Sequence, residues 1–372
     1  MTEIFDWQQL ADPRVAIRRA VEALQAGQLV GVPTETVYGV AANAASLSAV
    51  ERLVQCKGRP DGKPLTLALP DPLDIFDWVP QIDELGRRLC RRGWPGPLTI
   101  VFSAGLSGSA LDRLPEDVRR RVSPEGTLGV RVPAHEGTRE ILRQARTPVV
   151  LTSANRSGEP EAVSGKQVAE TLGDHLQVVI DDGVVRYGQA SSVVRLTAGR
   201  WECLRIGVLP EYAIERMACR LYLFVCTGNT CRSPLAAGIC RKLLAEKLNC
   251  PPEELPRRGI LVSSAGMAAM MGCAASPEAV DAARNLGVDL DEHVSQPLTR
   301  TLLAEAEYVF TMTRAHSDAL AGRFAGLPAR VELISPDGDD IPDPIGGDMP
   351  LYEECARRIM DCLHRRLAGL EI

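Results

Sequence analysis

Short apolar runs alternate along this chain with longer stretches in which apolar residues recur at three- and four-residue spacing. Val15, Ile17, Val21 and Leu24 predict a helix that Gly27 ends. Residues 29–32 read as a strand running into Pro33-Thr34-Glu35-Thr36-Val37-Tyr38-Gly39, a loop dense in hydroxyls. Ser46 is placed to cap a second helix with Ala49, Val50, Leu53 and Val54 on one face, stopping at Lys57-Gly58-Arg59-Pro60. Strands are predicted over 64–69, 98–102, 128–132 and 149–152, with a helix through Ile82, Leu85 and Leu89 after the first of them. The last strand delivers Ser153-Ala154-Asn155. The alternation resumes with a strand at 221–225, a helical pattern from Leu235, and a strand leading to Ser263-Ser264-Ala265-Gly266. A helix face of Ala279, Ala282, Ala283 and Leu286 follows, then a central strand at 309–313. Strands alternating with helices throughout predict an α/β protein.

One junction concentrates chemistry. The strand at 221–225 is followed at once by Cys226, then Thr227, Gly228, Asn229, Thr230 and Cys231, then Arg232 and Ser233 at the mouth of a helix. Strand, tight loop and helix N-terminus make an anion cradle, because loop amides and the helix dipole both favour negative charge. A cysteine at the mouth of such a cradle is of the kind held as thiolate. Arg232 suits bidentate binding of phosphate oxygens, and the Ser233 hydroxyl can hydrogen-bond the sulfur. Far downstream, Asp343-Pro344-Ile345-Gly346 is a turn offering a carboxylate that can protonate a leaving group. The set predicts covalent phosphate-ester hydrolysis through a phosphocysteine. The plainer alternative is a structural cysteine near an arginine. Cys226 and Cys231 share one loop, so an oxidised bond between them would protect the nucleophile. In the first half, Lys57 and Arg59 beside the hydroxyl-rich loop suggest a triphosphate or carboxylate site, the alternative being a solvated helix end.

At 372 residues the chain is expected to hold two domains, and the break falls near 210–220 without a Gly/Ser-rich linker. A net charge of −6 argues against broad non-specific nucleic-acid binding. No signal pattern opens the sequence, and no apolar run approaches the roughly 20 residues of a membrane helix. The eleven cysteines lack Cys-x2-Cys pairs. They predict reduced thiols, a cytoplasmic protein and no metal site.

Residues 220–372 closely resemble the low-molecular-weight protein tyrosine phosphatase family, on the loop from Cys226 to Ser233, the stretch Asp289, Asp291, His293, Gln296, and Asp343-Pro344. The resemblance implies a parallel-sheet, Rossmann-like fold, no cofactor, and catalysis by Cys226, Arg232 and Asp343. It also implies that Asn229, Ser264 and His293 hold the phosphate loop. Thr230 stands where tyrosine-specific members carry an aliphatic residue, and Ile345-Gly346-Gly347 where they carry aromatics. Arginine-phosphate phosphatases of the family carry threonine there and Asp-Pro-Phe-Gly-Gly downstream. Phosphoarginine is therefore the expected substrate over phosphotyrosine, on a phosphoprotein. Arsenate reduction on the same fold would need a resolving cysteine pair beyond the loop, and no cysteine lies between Cys273 and Cys355.

Residues 10–210 resemble the YrdC/Sua5 family. The resemblance rests on Pro-Thr-Glu-Thr-Val-Tyr-Gly, Lys-x-Arg-Pro with Pro64-Leu65, Trp-Pro-Gly-Pro-Leu-Thr, Gly-Val-Arg-Val-Pro and Ser-x-Asn, in that order. It implies a twisted open α/β sheet and synthesis of L-threonylcarbamoyl-AMP from L-threonine, bicarbonate and ATP, for modification of tRNA at adenosine 37. It also implies magnesium on the ATP phosphates, double-stranded RNA binding and partner proteins of tRNA modification. Lys57, Arg59, Lys63, Thr127, Ser153, Asn155 and Arg205 are implied around ATP, and Thr34, Thr36, Tyr38, Arg131 and Ser191 around threonine. Three places depart from the pattern: Ala68 where many members have histidine, Ala190-Ser191-Ser192 for Pro-Ser-Thr, and Glu161 for a hydroxyl residue. The whole chain is thus expected to be a bifunctional enzyme. The competing expectation keeps the phosphatase and makes the first domain a nucleotide- or RNA-binding module.

Overall fold

The structure, a computed structural model, describes residues 2–58, 60, 62–324, 326 and 330–369. It divides into two units, Met1–Met217 and Ala218–Ile372. In the first unit, strands β1 (Glu3–Asp6), β2 (Leu29–Val32), β3 (Gly39–Asn43), β4 (Thr66–Ala68) and β5 (Leu98–Phe102) join β6 (Leu128–Arg131), β7 (Val149–Ser153), β8 (Leu176–Asp181), β9 (Ser192–Thr197) and β10 (Arg200–Arg205). They form one ten-stranded sheet in the order β1-β8-β2-β3-β7-β4-β6-β5-β9-β10. Parallel and antiparallel pairs are mixed, and the sheet ends at β1 on one side and β10 on the other. The helix Pro13–Gln25 buries Ala16, Ile17, Ala20 and Leu24 against β2 and β8, as its spacing predicts. The helix Leu47–Lys57 starts at Ser46, whose hydroxyl accepts from the Ala49 amide, and ends at Gly58 with φ 55°. That left-handed turn costs glycine little.

The expected strand at 64–69 is shorter, Thr66–Ala68, because Pro64 carries no amide for a ladder. The sequence reading has no strand at β3, which follows the hydroxyl-rich loop at once: Val32 pairs with Gly39, so the loop is the turn of a hairpin. Strands β8, β9 and β10 were likewise not foreseen. Their alternating burial in β9 and β10 marks the half-covered end of the sheet.

The second unit is a four-stranded, all-parallel sheet in the order β12-β11-β13-β14, built from β11 (Arg220–Cys226), β12 (Ile260–Gly266), β13 (Tyr308–Thr311) and β14 (Arg330–Leu333). Parallel strands covered on both faces read as unbroken apolar runs. Strand β11 shows why: Tyr222 and Phe224 enter one core, and Leu221, Leu223 and Val225 enter the other. Phe224 stacks on Phe310 with ring centroids 5.5 Å apart. Cys226 is the last residue of β11, paired with Gly266, and the helix Arg232–Leu248 begins six residues on.

Phe224→Ala should destabilise the second unit by about 3–5 kcal/mol, the usual cost of emptying a buried phenyl site. Urea unfolding of the intact chain, followed by a probe in that unit, measures it; a shift under 1 kcal/mol would contradict the packing described.

Candidate functional sites

In the first unit, Thr34, Tyr38, Lys57, Lys63, Thr127, Arg131, Ser153, Asn155, Ser191 and Arg205 all line one cavity of about 400 Å³. Its floor is the sheet, where Thr66, Gly129, Val101 and Arg195 follow one another across β4, β6, β5 and β9. Arg59 lies outside the described residues. Thr36 is fully buried beneath the cavity wall and serves Arg131.

The cations expected around ATP are held differently from one another. Lys57 is 3% exposed. Its ammonium donates to the Ser153 carbonyl, to the Asn155 carbonyl at 2.8 Å and to Asn155 Oδ1 at 3.2 Å. It therefore ties the helix Leu47–Lys57 to the turn that follows β7. Asn155 closes that turn, donating to the carbonyls of Arg156 at 3.0 Å and Glu159 at 2.6 Å, while Ser153 Oγ donates to its Oδ1 at 2.6 Å. Arg205 donates to the Ser191 carbonyl from Nε at 3.1 Å and from Nη2 at 2.8 Å. Burial pulls its guanidinium below the ordinary value; the Glu161 carboxylate opposes this, and the nearby charge of Arg131 adds to it. Thr127 Oγ1 donates to the Pro124 carbonyl at 2.9 Å.

Around the expected threonine position, Arg131 is the hub. Its Nη2 donates to Thr36 Oγ1 at 2.8 Å and to Glu35 Oε1 at 2.6 Å, and its Nε donates to the Gly96 carbonyl at 3.2 Å. The Arg131–Glu35 pair is almost wholly buried, and Glu35 Oε2 accepts from the Ala134 amide at 2.8 Å. Thr34 Oγ1 donates to the Val37 carbonyl at 2.6 Å, and Ser191 Oγ lies 2.9 Å from Thr99 Oγ1. Tyr38 presents its ring to the cavity, but its hydroxyl donates to the Gly183 carbonyl at 2.8 Å and accepts from the Asp182 amide at 2.9 Å. Glu35 was missed by sequence reasoning, though its place between Thr34 and Thr36 was a signal. Arg195 was missed too; it lines the cavity with a buried Nε that has no acceptor among the described residues.

In the second unit the loop after β11 is built round Asn229, which takes φ 58°. Few residues other than glycine tolerate that region, asparagine best among them. Its side chain donates to Ser233 Oγ at 2.9 Å and Ser264 Oγ at 2.8 Å, and its Oδ1 accepts from the Gln296 amide at 2.9 Å. Its carbonyl accepts from His293 Nε2 at 2.8 Å. Cys226 Sγ stands 3.0 Å from Ser233 Oγ and accepts from the Asn229 amide at 3.3 Å. Thr227 and Gly228 form the outer arc, and a Cβ on Gly228 would lie 3.5 Å from Thr230 Oγ1. Cys231 faces Ser276 Oγ at 3.4 Å, and both it and Cys226 are free thiols.

Arg232 opens the following helix. Its Nη2 donates to Asp343 Oδ2 at 2.5 Å and its Nη1 to the Ile341 carbonyl at 3.2 Å, while its buried Nε has no acceptor among the described residues. Asp343 comes from a turn and is 39% exposed. His316 is a further member that the sequence reading lacked: its Nε2 is 2.9 Å from Thr227 Oγ1 and its Nδ1 2.8 Å from Thr313 Oγ1. Nothing in the sequence around His316 gave a sign of this, since the contact spans 89 residues.

Both histidines are held below their ordinary value of 6.5 by burial, His316 further by the Arg232 charge, with Asp343 and Asp340 opposing. Well above pH 6.5 both folded and unfolded imidazoles are neutral and no stability is at stake. As pH falls below 6.5 the unfolded chain takes up protons that the fold resists, so stability drops until the folded groups protonate as well. Calorimetric melting of the second unit at pH 7 and pH 5 should show that fall, and His293→Asn with His316→Asn should flatten it. An unchanged slope in the double variant would contradict the assignment.

Residues 22–207 match the Sua5/YciO/YrdC family model, whose description reads "Telomere recombination". Residues 222–371 match that of the low molecular weight phosphotyrosine protein phosphatase. A threonylcarbamoyl-AMP synthase of Pyrococcus abyssi is 37% identical over 203 residues, which is 54% of this chain and 56% of the relative. A putative threonylcarbamoyl-AMP synthase of Mycobacterium tuberculosis is 37% identical over 221 residues, 59% of this chain and 94% of the relative. The chain thus spans little more than half the length of the first relative and nearly all of the second. The crystal structure of P. abyssi Sua5 complexed with L-threonine aligns with a TM-score of 0.51 at 24% identity, covering 71% of this chain and 92% of that one; the likeness is one of fold. Among the described residues no group of acidic, histidine or cysteine side chains is arranged to hold a metal, and no helix is long and apolar enough to cross a membrane.

Proposed function

Because the chain belongs to the Sua5/YciO/YrdC family and carries a low molecular weight phosphotyrosine protein phosphatase domain in residues 222–371, we propose that it is a bifunctional enzyme, a nucleotidyl transferase joined to a phosphohydrolase. The first unit makes L-threonylcarbamoyl-AMP from L-threonine, bicarbonate and ATP, releasing pyrophosphate, for modification of tRNA. The observation that carries this reading is the gathering of ten expected residues on one cavity wall. The reaction requires charge neutralisation on a triphosphate and an orienting clamp, without a protein nucleophile. Arg205 and Lys63 are assigned to the phosphates, and Arg131 to the threonine carboxylate beside Ser191. Lys57 and Asn155 act by holding the turn that bears Ser153. Arg59 keeps its sequence-based assignment to the triphosphate. Magnesium, when bound on the phosphates, supplies further neutralisation of their charge. Conversion of ATP to pyrophosphate by the intact chain should require both L-threonine and bicarbonate; ATP binding without that turnover would leave a nucleotide-binding module instead.

The second unit hydrolyses a phosphorylated protein side chain. Its reading rests on Arg232 Nε, a buried donor without an acceptor among the described residues, at the end of the loop that Cys226 opens, which calls for an anion there. Cys226 attacks phosphorus, the P–O or P–N bond to the substrate breaks, and Asp343 gives the leaving atom its proton. Water then attacks the phosphocysteine, its proton passing to Asp343, and phosphate and the free thiol are regenerated. Phosphoarginine is the favoured substrate, because Thr230 offers a hydroxyl at the loop where an alkyl group would suit a phenyl ring, and Ile345 rather than an aromatic follows Pro344.

Cys226→Ser should abolish hydrolysis of an aryl phosphate while leaving the fold intact. Thr230→Ile should lower kcat/KM on a phosphoarginine protein by about 5- to 150-fold, the usual value of a lost polar contact, and spare a phosphotyrosine peptide. Equal loss on both substrates would remove the arginine preference and leave the phosphatase reading standing.

A further inference from the structure

Glu161 is the one carboxylate among the described residues that line the cavity of the first unit. Its charged neighbours on that wall are all cations: Lys57, Lys63, Arg131, Arg195 and Arg205. The other acidic residue close by, Glu35, is occupied, with one oxygen on Arg131 and the other on the Ala134 amide. Among the described residues Glu161 has neither a hydrogen bond nor an ion pair; the charge it acts on is Arg205, whose protonated form it favours from a distance. An unpaired carboxylate on the wall of a triphosphate site is a conflict. It repels the phosphates that the surrounding cations attract.

A hard divalent cation resolves the conflict. Magnesium keeps several waters and is typically held by one or two carboxylates together with substrate phosphates. A lone carboxylate is too little to hold the ion before the nucleotide arrives, and enough to recognise it afterwards. We propose that Glu161 is a ligand, directly or through water, of the magnesium ion that the nucleotide brings, and that it makes this chain discriminate against metal-free ATP. The proposal rests on the reading of the cavity as an ATP site. It concerns a position where the resembling family has a hydroxyl residue, so it is a property of this sequence.

The test is calorimetric titration of the full chain with ATP, once with excess magnesium and once with EDTA, for the wild type, Glu161→Gln and Glu161→Asp. The wild type should bind the magnesium complex more tightly than free ATP by about 5- to 150-fold, the range of an ordinary coupling between two ligands. Glu161→Gln should bring that ratio close to one, chiefly by improving the affinity for free ATP, and Glu161→Asp should keep most of it. Mn2+ provides a second readout: its paramagnetic resonance should report more ion bound with a non-hydrolysable ATP analogue in the wild type than in Glu161→Gln. A magnesium preference unchanged in Glu161→Gln overturns the proposal, as does tight, metal-independent binding by the wild type. No ATP binding by the wild type in either buffer overturns the ATP site itself, and the proposal with it.

Discussion

Each unit depends on a buried carboxamide whose hydrogen bonds are fully assigned. Asn229 in the second unit holds a left-handed backbone, and its side chain and backbone together engage Ser233, Ser264, Gln296, His293 and the Cys226 sulfur. Asn155 in the first unit binds Ser153, Lys57 and the carbonyls of Arg156 and Glu159. A buried amide left unpaired costs far more than a paired one contributes. Each loop therefore has one low-energy shape, and the groups that would meet a substrate are placed before it arrives. Preorganisation of that kind is where electrostatic catalysis gains most.

The same economy governs the cations. Lys57 and Arg205 have backbone carbonyls as partners, and Arg131 has both a carbonyl and a carboxylate. Lys57 and Arg131 are buried, while Arg205 is exposed and pinned by its bonds to the Ser191 carbonyl. Arg232 differs, since its strongest partner is the side chain of Asp343, which comes from an exposed turn. In the reading proposed for the second unit, the pair couples the anion-binding group to the acid: a phosphate that takes over the guanidinium changes the surroundings of the carboxylate at the same moment. His316 feels both members of this pair, Arg232 lowering its pKa and Asp343 raising it, on top of the lowering by burial.

Much of this was legible in the sequence, and the division between what was and what was not has a physical basis. The strand at 29–32, the helix capped by Ser46 and the apolar run before Cys226 depend on local periodicity and caps, and they stand where the pattern put them. The Cys-x5-Arg loop is legible because its chemistry is contained in eight consecutive residues. Lys57 illustrates the limit. Its position next to a hydroxyl-rich loop suggested a phosphate-binding cation, yet the oxygens it binds lie 96 and 98 residues away, and only the folded sheet brings them under its ammonium. His316 and Glu35 were missed for the same reason: an ordinary helix residue and an ordinary loop acid acquire their meaning from partners distant in sequence. Strands β9 and β10 were missed because half-covered strands near the end of a sheet carry weak apolar signals; β8 is largely buried, and its short apolar run at 178–180 has no turn residues that set it off clearly from the helix before it.

The open sheet of the first unit has an edge at β10, and an edge strand exposes a row of backbone donors and acceptors to any other strand that comes by. Here that row is studded with Arg200, Glu202 and Arg205, and the opposite edge, β1, with Glu3 and Asp6. Charge of this kind keeps copies of a chain from zipping together. Arg205 thus belongs to two systems at once, the cavity and the guard on the edge. A neutral residue at that place would remove at one stroke a cation from the cavity wall and a charge from the row that keeps identical molecules from pairing along the edge.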